Sequence, residues 1–276
     1  MFLNADAVPG AVARIAGKTP VGNALKAVDL RDLALALRER GQFSARVESV
    51  KFMRHVQDSL AQAIATGRKD IINVNTGEAD TVLMDRGRFI ADAMDQATGL
   101  PTAGPGIADI HSFRRLALIF DQQTKSAYGY TDWKTGQSPD LLDVFPAQRL
   151  ARHEVRKEPR DWEERWQEAG AAVGWEGASQ DEMVALKSSP IWAELSAFDE
   201  PWPPFDYDSG MGVDDVDRQE AQSLGLLEPG QMPEGDSERD FNDDLAASVD
   251  DADQHWLAEW FGDQVRLSPG RVEWAG

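Results

Sequence analysis

The chain has 276 residues, of which 48 are acidic and 28 basic, a formal charge of −20, and 42% are hydrophobic. That is enough length and apolar content to bury a core. The charge argues against a whole-molecule nucleic-acid clamp or a polybasic membrane binder, though not against a local basic patch. Cysteine is absent, which excludes disulfide staples, thiolate catalysis and Cys-ligated zinc and fits a reducing compartment.

Residues 1–27 read as an arm punctuated by Gly10, Gly17, Pro20 and Gly22. Met1 to Pro9 is apolar but short and has no basic region before it, and the longest apolar runs, such as Leu116 to Phe120, are far below the roughly 18 residues of a membrane span. The expectation is a soluble, non-secreted protein. Asp29 caps a helix over about 30–40. A second helix, about 47–66, carries Val50, Met53, Val56, Leu60 and Ile64 at steps of three and four and ends at Gly67. Residues 68–78 read as a loop or a short strand. A third helix, about 79–97, uses Val82, Leu83, Phe89, Ile90 and Met94. After a Gly/Pro linker at 102–106, a long helix runs from about 107 to 136, its end weakened by Gly129 and Gly136.

After Pro139 the style changes. Leu150 to Val155 and Met183 to Leu186 read as strands, 162–172 as a helix capped by Asp161, and Pro190 to Phe198 as a helix opening on proline. Pro201 to Phe205 is extended, and Val213 to Leu224 reads as a short acidic helix. Asp199 to Asp263 holds 20 acids and two bases, a net −18, and Glu228 to Asp253 is too poor in bulky apolar residues to offset chain entropy. Trp256, Trp260 and Phe261 then share one helical face. The expected fold class is α+β, mainly helical. It comprises a helical N-terminal half, a small Trp-rich α+β module and an acidic, partly disordered C-terminal tail. The expected division is an arm over 1–27, a helical domain over 28–138, the Trp/Pro-rich module over 139–227, and the tail over 228–276.

Catalytic motifs are mostly absent. Gly17-Lys18-Thr19 lacks the first glycine of a phosphate loop, where Val12 stands, and His153-Glu154 lacks a second histidine at Lys157. Asp206 to Asp217 resembles a calcium loop but has Gly210, Met211 and Asp217 where an oxygen ligand, a glycine and a glutamate belong. Asp206, Asp208 and Asp214 remain weak Ca²⁺ or Mg²⁺ candidates, the basis of an alternative reading as a metal-dependent hydrolase. A second alternative is an acidic nucleic-acid mimic. No catalytic residue, cofactor or enzyme activity is implied.

Residues 149–160 carry a net +3. Arg156 and Arg160 are candidates there for a partner or for local DNA contact. Trp162, Trp166, Trp192 and Trp202, with the rigid Pro203-Pro204-Phe205, are candidates for core or interface. Trp256 and Trp260 read as an aromatic anchor on an acidic leash.

The stretch Phe120-Asp-Gln-Gln-Thr-Lys-Ser-Ala-Tyr-Gly-Tyr-Thr-Asp-Trp133 resembles the helix ending in Ala-x-Gly-Tyr/Phe-x-x-Trp of phage head-morphogenesis proteins of the Mu F-like type. Phe145 to Leu150, Arg156 to Trp166, Pro190-Ile-Trp192, Trp202 to Met211, and Leu37 to Val47 are similar, in the same order, to one branch of that group. The resemblance spans about 30–227. It implies a minor head protein of a tailed phage or prophage that docks on the portal or inner capsid in several copies and resides in the virion head after assembly in the host cytoplasm. It adds Tyr130 and Trp133 to the partner candidates and brings no catalytic residues. Relatives often carry a Cys-Arg-Cys closure that this chain lacks. The Pro-Pro-Phe-Asp segment stands in its place.

Overall fold

In the computed structural model the structure describes residues 7–31, 35–65, 68–72, 79–83, 86–102, 104–157, 160–178, 181–235, 246–248, 254–269 and 271–275. The chain forms two compact units: unit 1 is Met1–Ala7 with Lys125–Asp240, and unit 2 is Val8–Thr124 with Phe241–Gly276.

Unit 2 opens with helix α1 (Ala7–Ala16), strand β1 (Thr19–Pro20), helices α2 (Ala27–Arg31) and α3 (Leu35–Arg40), and strand β2 (Gly41–Gln42), which pairs in parallel with β1. Helix α4 (Val50–Ala65) follows the expected periodicity. It buries Met53, Val56, Leu60 and Ile64, while Val50 at its first position stays 45% exposed. Ser49 caps it, its hydroxyl accepting from the Phe52 amide at 3.2 Å. The helix expected over 79–97 divides. Strand β4 (Ala79–Leu83) pairs antiparallel with β3 (Arg68–Ile72), and helix α5 (Arg86–Gln96) keeps only the second half. Thr81-Val82-Leu83 suits a strand at least as well as a helix. Helix α6 (Phe113–Gly136) carries the boundary between the units at residues 124 and 125.

The C-terminal part of unit 2 is folded where described. Strands β8 (Ala246–Ser248), β9 (Val265–Ser268) and β10 (Arg271–Trp274) form an antiparallel sheet in the order β8-β10-β9. Helix α11 (Gln254–Phe261) adds Leu257 and Phe261 to a cluster with Leu37 and Val272.

Unit 1 holds α7 (Pro139–Val144) and a three-stranded antiparallel sheet with β5 (Ala147–Arg152) between β6 (Val184–Leu186) and β7 (Met211–Val216). Helices α8 (Trp162–Ala172), α9 (Ile191–Leu195) and α10 (Arg218–Ser223) complete it. The Asp161 carboxylate caps α8 by accepting from the Glu164 amide at 3.0 Å, and Asp217 caps α10 in the same way from Glu220 at 2.8 Å.

These elements correct the expected fold class. The fold is a mixed α+β one, with helices throughout and small sheets scattered among them. It is not split into a helical N-terminal half and a separate Trp-rich module, because two strand pairs lie before residue 84. The tail, expected to be partly disordered with one short aromatic helix, also supplies a three-stranded sheet where it is described. The acidic helix expected over Val213 to Leu224 is also corrected to a strand followed by a shorter helix. In β7, Asp214 meets His153 at 3.0 Å, and the strand takes its state from its six-residue pairing with β5. Among the described residues no helix is long and apolar enough to cross a membrane.

Candidate functional site

The candidate site is the aromatic body of unit 1 and the charged loops at its rim. Its foundation is the second half of α6, where Ala127 and Tyr128 are buried. A β-carbon at Gly129 would overlap the Pro203 carbonyl, so this helix must have glycine where the 201–205 segment crosses it. Close backbone packing offsets the helix propensity lost there, and α6 continues to Gly136.

That approach brings Trp202 onto the helix. Its ring lies 5.1 Å from those of both Tyr130, edge-on, and Trp133. Phe205 continues the segment inward and stacks on Trp192 at 5.9 Å, and Trp192 meets Trp166 at 5.3 Å. Trp192 donates its indole N–H to the Leu186 carbonyl at 2.9 Å, pinning α9 to β6. Trp162, Trp166, Trp192, Phe205, Leu150 and Met211 share one cluster. Trp133, Trp162, Trp166, Trp192, Trp202, Pro204 and Phe205 are therefore buried within unit 1, with Pro203 half-buried. Such rings typically bury 150–250 Å² each.

The rim is ionic. Arg165 lies over the Trp162 ring at 4.4 Å and donates to Asp206 at 2.8 Å. Arg160 is 3.4 Å from the same carboxylate and donates to the Tyr207 carbonyl at 2.9 Å. Arg156 donates to the Asp208 carbonyl at 2.9 Å and pairs with the carboxylates of Asp208 and Glu154. Burial works to raise the Glu154 carboxyl, but Lys125 and Arg156 outweigh it and hold it below its usual range. His153 faces Asp214 at 3.0 Å. Arg149 donates to the carboxylates of Glu220 at 2.7 Å and Glu182 at 3.1 Å, and these bonds, Glu220 first, hold its guanidinium above its ordinary value.

The three metal candidates are thus placed apart in function. Asp206 faces Arg165 and Arg160, Asp208 faces Arg156, and Asp214 lies on β7 beside His153. Among the described residues no group of three or more His, Asp or Glu side chains is arranged to hold a metal ion. In unit 2, Trp260 lies 6.3 Å from Phe43, and the Trp256 side chain lies outside the described residues.

Sequence reasoning missed Asp206 as an ionic hub and Arg218 as a fork. Arg218 binds the Asp143 carboxylate at 2.8 Å and the Gln231 carbonyl at 2.9 Å. Neither residue has a local spacing signal, because their partners stand 41 and 75 positions away. No known protein family, no curated protein and no solved structure matches this chain.

Proposed function

We propose that the protein is an assembly component of a tailed-phage or prophage head: a minor head protein that docks on the portal or inner capsid and assists head morphogenesis, DNA packaging or ejection. One observation carries this reading. The Ala-x-Gly-Tyr-x-x-Trp stretch and the Trp202-Pro-Pro-Phe stretch, which carry the resemblance from positions about 70 residues apart, form one interlocked aromatic core through Gly129 and Trp202.

The docking surface under this reading is the loop pair at the rim of that core. Val155 is 90% exposed between Arg152 and Lys157, and Tyr207 is 47% exposed on the facing loop. Arg156 and Arg160 tie the two loops together through the Asp208 and Tyr207 carbonyls, so an exposed aliphatic and an exposed aromatic side chain stand on one rim of paired charges. Co-expression with portal and major capsid proteins of a tailed phage tests the proposal. Co-purification with one of them, lost in V155D and Y207A variants that still fold, is the expected result. No association of the wild-type chain with either protein overturns it.

A further inference from the structure

We propose that the outer edge of β7 is a docking edge for an extended, basic segment of a partner protein, which joins the sheet of unit 1 as a further strand. The register shows which backbone groups stand free. The His153 amide donates to the Gly210 carbonyl at 2.9 Å, one position beyond the pairing of Arg152 with Met211. In an antiparallel ladder the pairs that exchange hydrogen bonds alternate. Arg149 with Asp214 and Ala151 with Gly212 are therefore bonded pairs, and the amides and carbonyls of Met211, Val213 and Asp215 turn away from β5. The Leu150 amide follows the same alternation and donates to Met183 on the β6 side at 3.0 Å. The Met211 amide is taken by the Ser209 hydroxyl at 3.2 Å. Among the described residues, the backbone groups of Val213 and Asp215 have no partner on the outer side.

The opposite edge of the sheet is closed. The outward carbonyl of Val184 accepts from the Ala178 amide at 2.7 Å, and that of Leu186 accepts from the Trp192 indole at 2.9 Å. Unused main-chain groups thus collect on the β7 edge, where an added strand finds donors and acceptors already spaced for it.

Charge selects the occupant. Asp214 and Asp215 are the exposed residues of β7. Asp215 pairs with Lys187, and Arg149 is taken by Glu182 and Glu220. With Asp217 at the end of the strand, these carboxylates outnumber Arg149, Lys187 and His153 together. A second copy of this chain would set one acidic edge against another, and like charges across a pairing oppose it. A basic strand meets no such opposition. Side chains across from Val213 fall on the face where Val213 and Met211 pack with Leu150. Those across from Asp214 fall on the other face, beside its carboxylate. The segment that fits therefore alternates apolar and basic residues. This inference uses neither Val155 nor Tyr207, and it stands whether or not the phage-head reading holds.

The test uses the full chain and a short synthetic peptide alternating lysine and valine, with a peptide alternating glutamate and valine as its control. Hydrogen exchange reads the Val213 and Asp215 amides, and titration followed by amide chemical shifts reads affinity. At saturation the lysine peptide should slow exchange of those two amides about tenfold, the gain of a backbone hydrogen bond. The glutamate peptide should not bind. V213P removes one outward donor and spares the bonds to β5, which belong to Gly212 and Asp214. It should weaken binding about tenfold. D214K should weaken binding of the lysine peptide and admit the glutamate peptide. No slowing at Val213 and Asp215, equal binding of the two peptides, or unchanged affinity in V213P overturns the proposal. If V213P does not fold, an unchanged peptide preference in D214K overturns it alone. Self-association of the free chain that slows the same two amides would give the edge to a second copy and overturns it too.

Discussion

The two units solve the same burial problem with different chemistry. Unit 1 packs tryptophans against one another, with Trp166, Trp192, Trp202 and Phe205 at 1% exposure or less. Unit 2 is built on aliphatic positions of α4 with Phe89 against Phe120 at 5.1 Å, and it buries polar side chains among them. Arg14 lies 3.9 Å from Glu39, both buried, and burial lowers Arg40 to about 10 against the pull of Glu39. Gln57 donates from one amide nitrogen to the Ile15 carbonyl at 2.8 Å and the Ala16 carbonyl at 3.3 Å, closing the end of α1. Large rings carry area but demand shape. A polar core demands partners instead.

The contrast predicts where each unit breaks. The largest effect belongs to W192A, which removes a ring touching Trp166 and Phe205. It should cost about 3–5 kcal/mol in chemical denaturation, with exchange rising across α8 and β5 before α4 and α5. Next, G129A forces a β-carbon onto the Pro203 carbonyl and should cost about 1–3 kcal/mol. G87A in α5 meets nothing within 4 Å and should stabilise by about 0.5–1 kcal/mol. The same substitution thus takes opposite signs in the two units. A melt in which both variants shift the same way would break the comparison.

The contrast also explains what the sequence could reveal. The periodicity of α4, the Asp161 cap and span of α8, and the existence of a short helix at α11 were legible because each is a local pattern, while the buried positions of α11, Leu257 and Phe261, differ from the expected Trp256, Trp260 and Phe261 face. Three features were not. Strand β4 and strand β7 take their state from partners across the sheet, Arg68–Ile72 and Ala147–Arg152. The break between Ala108 and Phe113, where one long helix was expected, follows from Asp109 and His111 binding each other and Ala97. The tail's sheet depends on pairings among its own strands that acidic composition conceals. Of the candidate site, the aromatic stretches were visible as residues, but their meeting was not, since a glycine's close approach to a distant proline leaves no local spacing. The carboxylates at 206–214 were visible as a cluster, while their arginine partners were not.

Smaller effects sharpen the comparison further. Q57A leaves backbone carbonyls at the end of α1 without their donor and should cost about 1–2 kcal/mol. The smallest belongs to Glu154. Its carboxyl is held below the usual range in the folded chain, so its contribution is present above the unfolded value and is lost as the pH falls through the folded one. At 43% exposure the ion pair with Lys125 is screened. E154Q should therefore flatten the acid limb of the stability profile only slightly, and a steeper limb in the variant would contradict the assignment.

Under the function proposed above, this chain is a working part of a phage head. Quantitative mass spectrometry of purified particles, counting this chain against the portal protein, tests it most directly. A fixed, reproducible ratio between the two is the predicted result. Absence from particles, with the protein abundant in the producing cell, would contradict it.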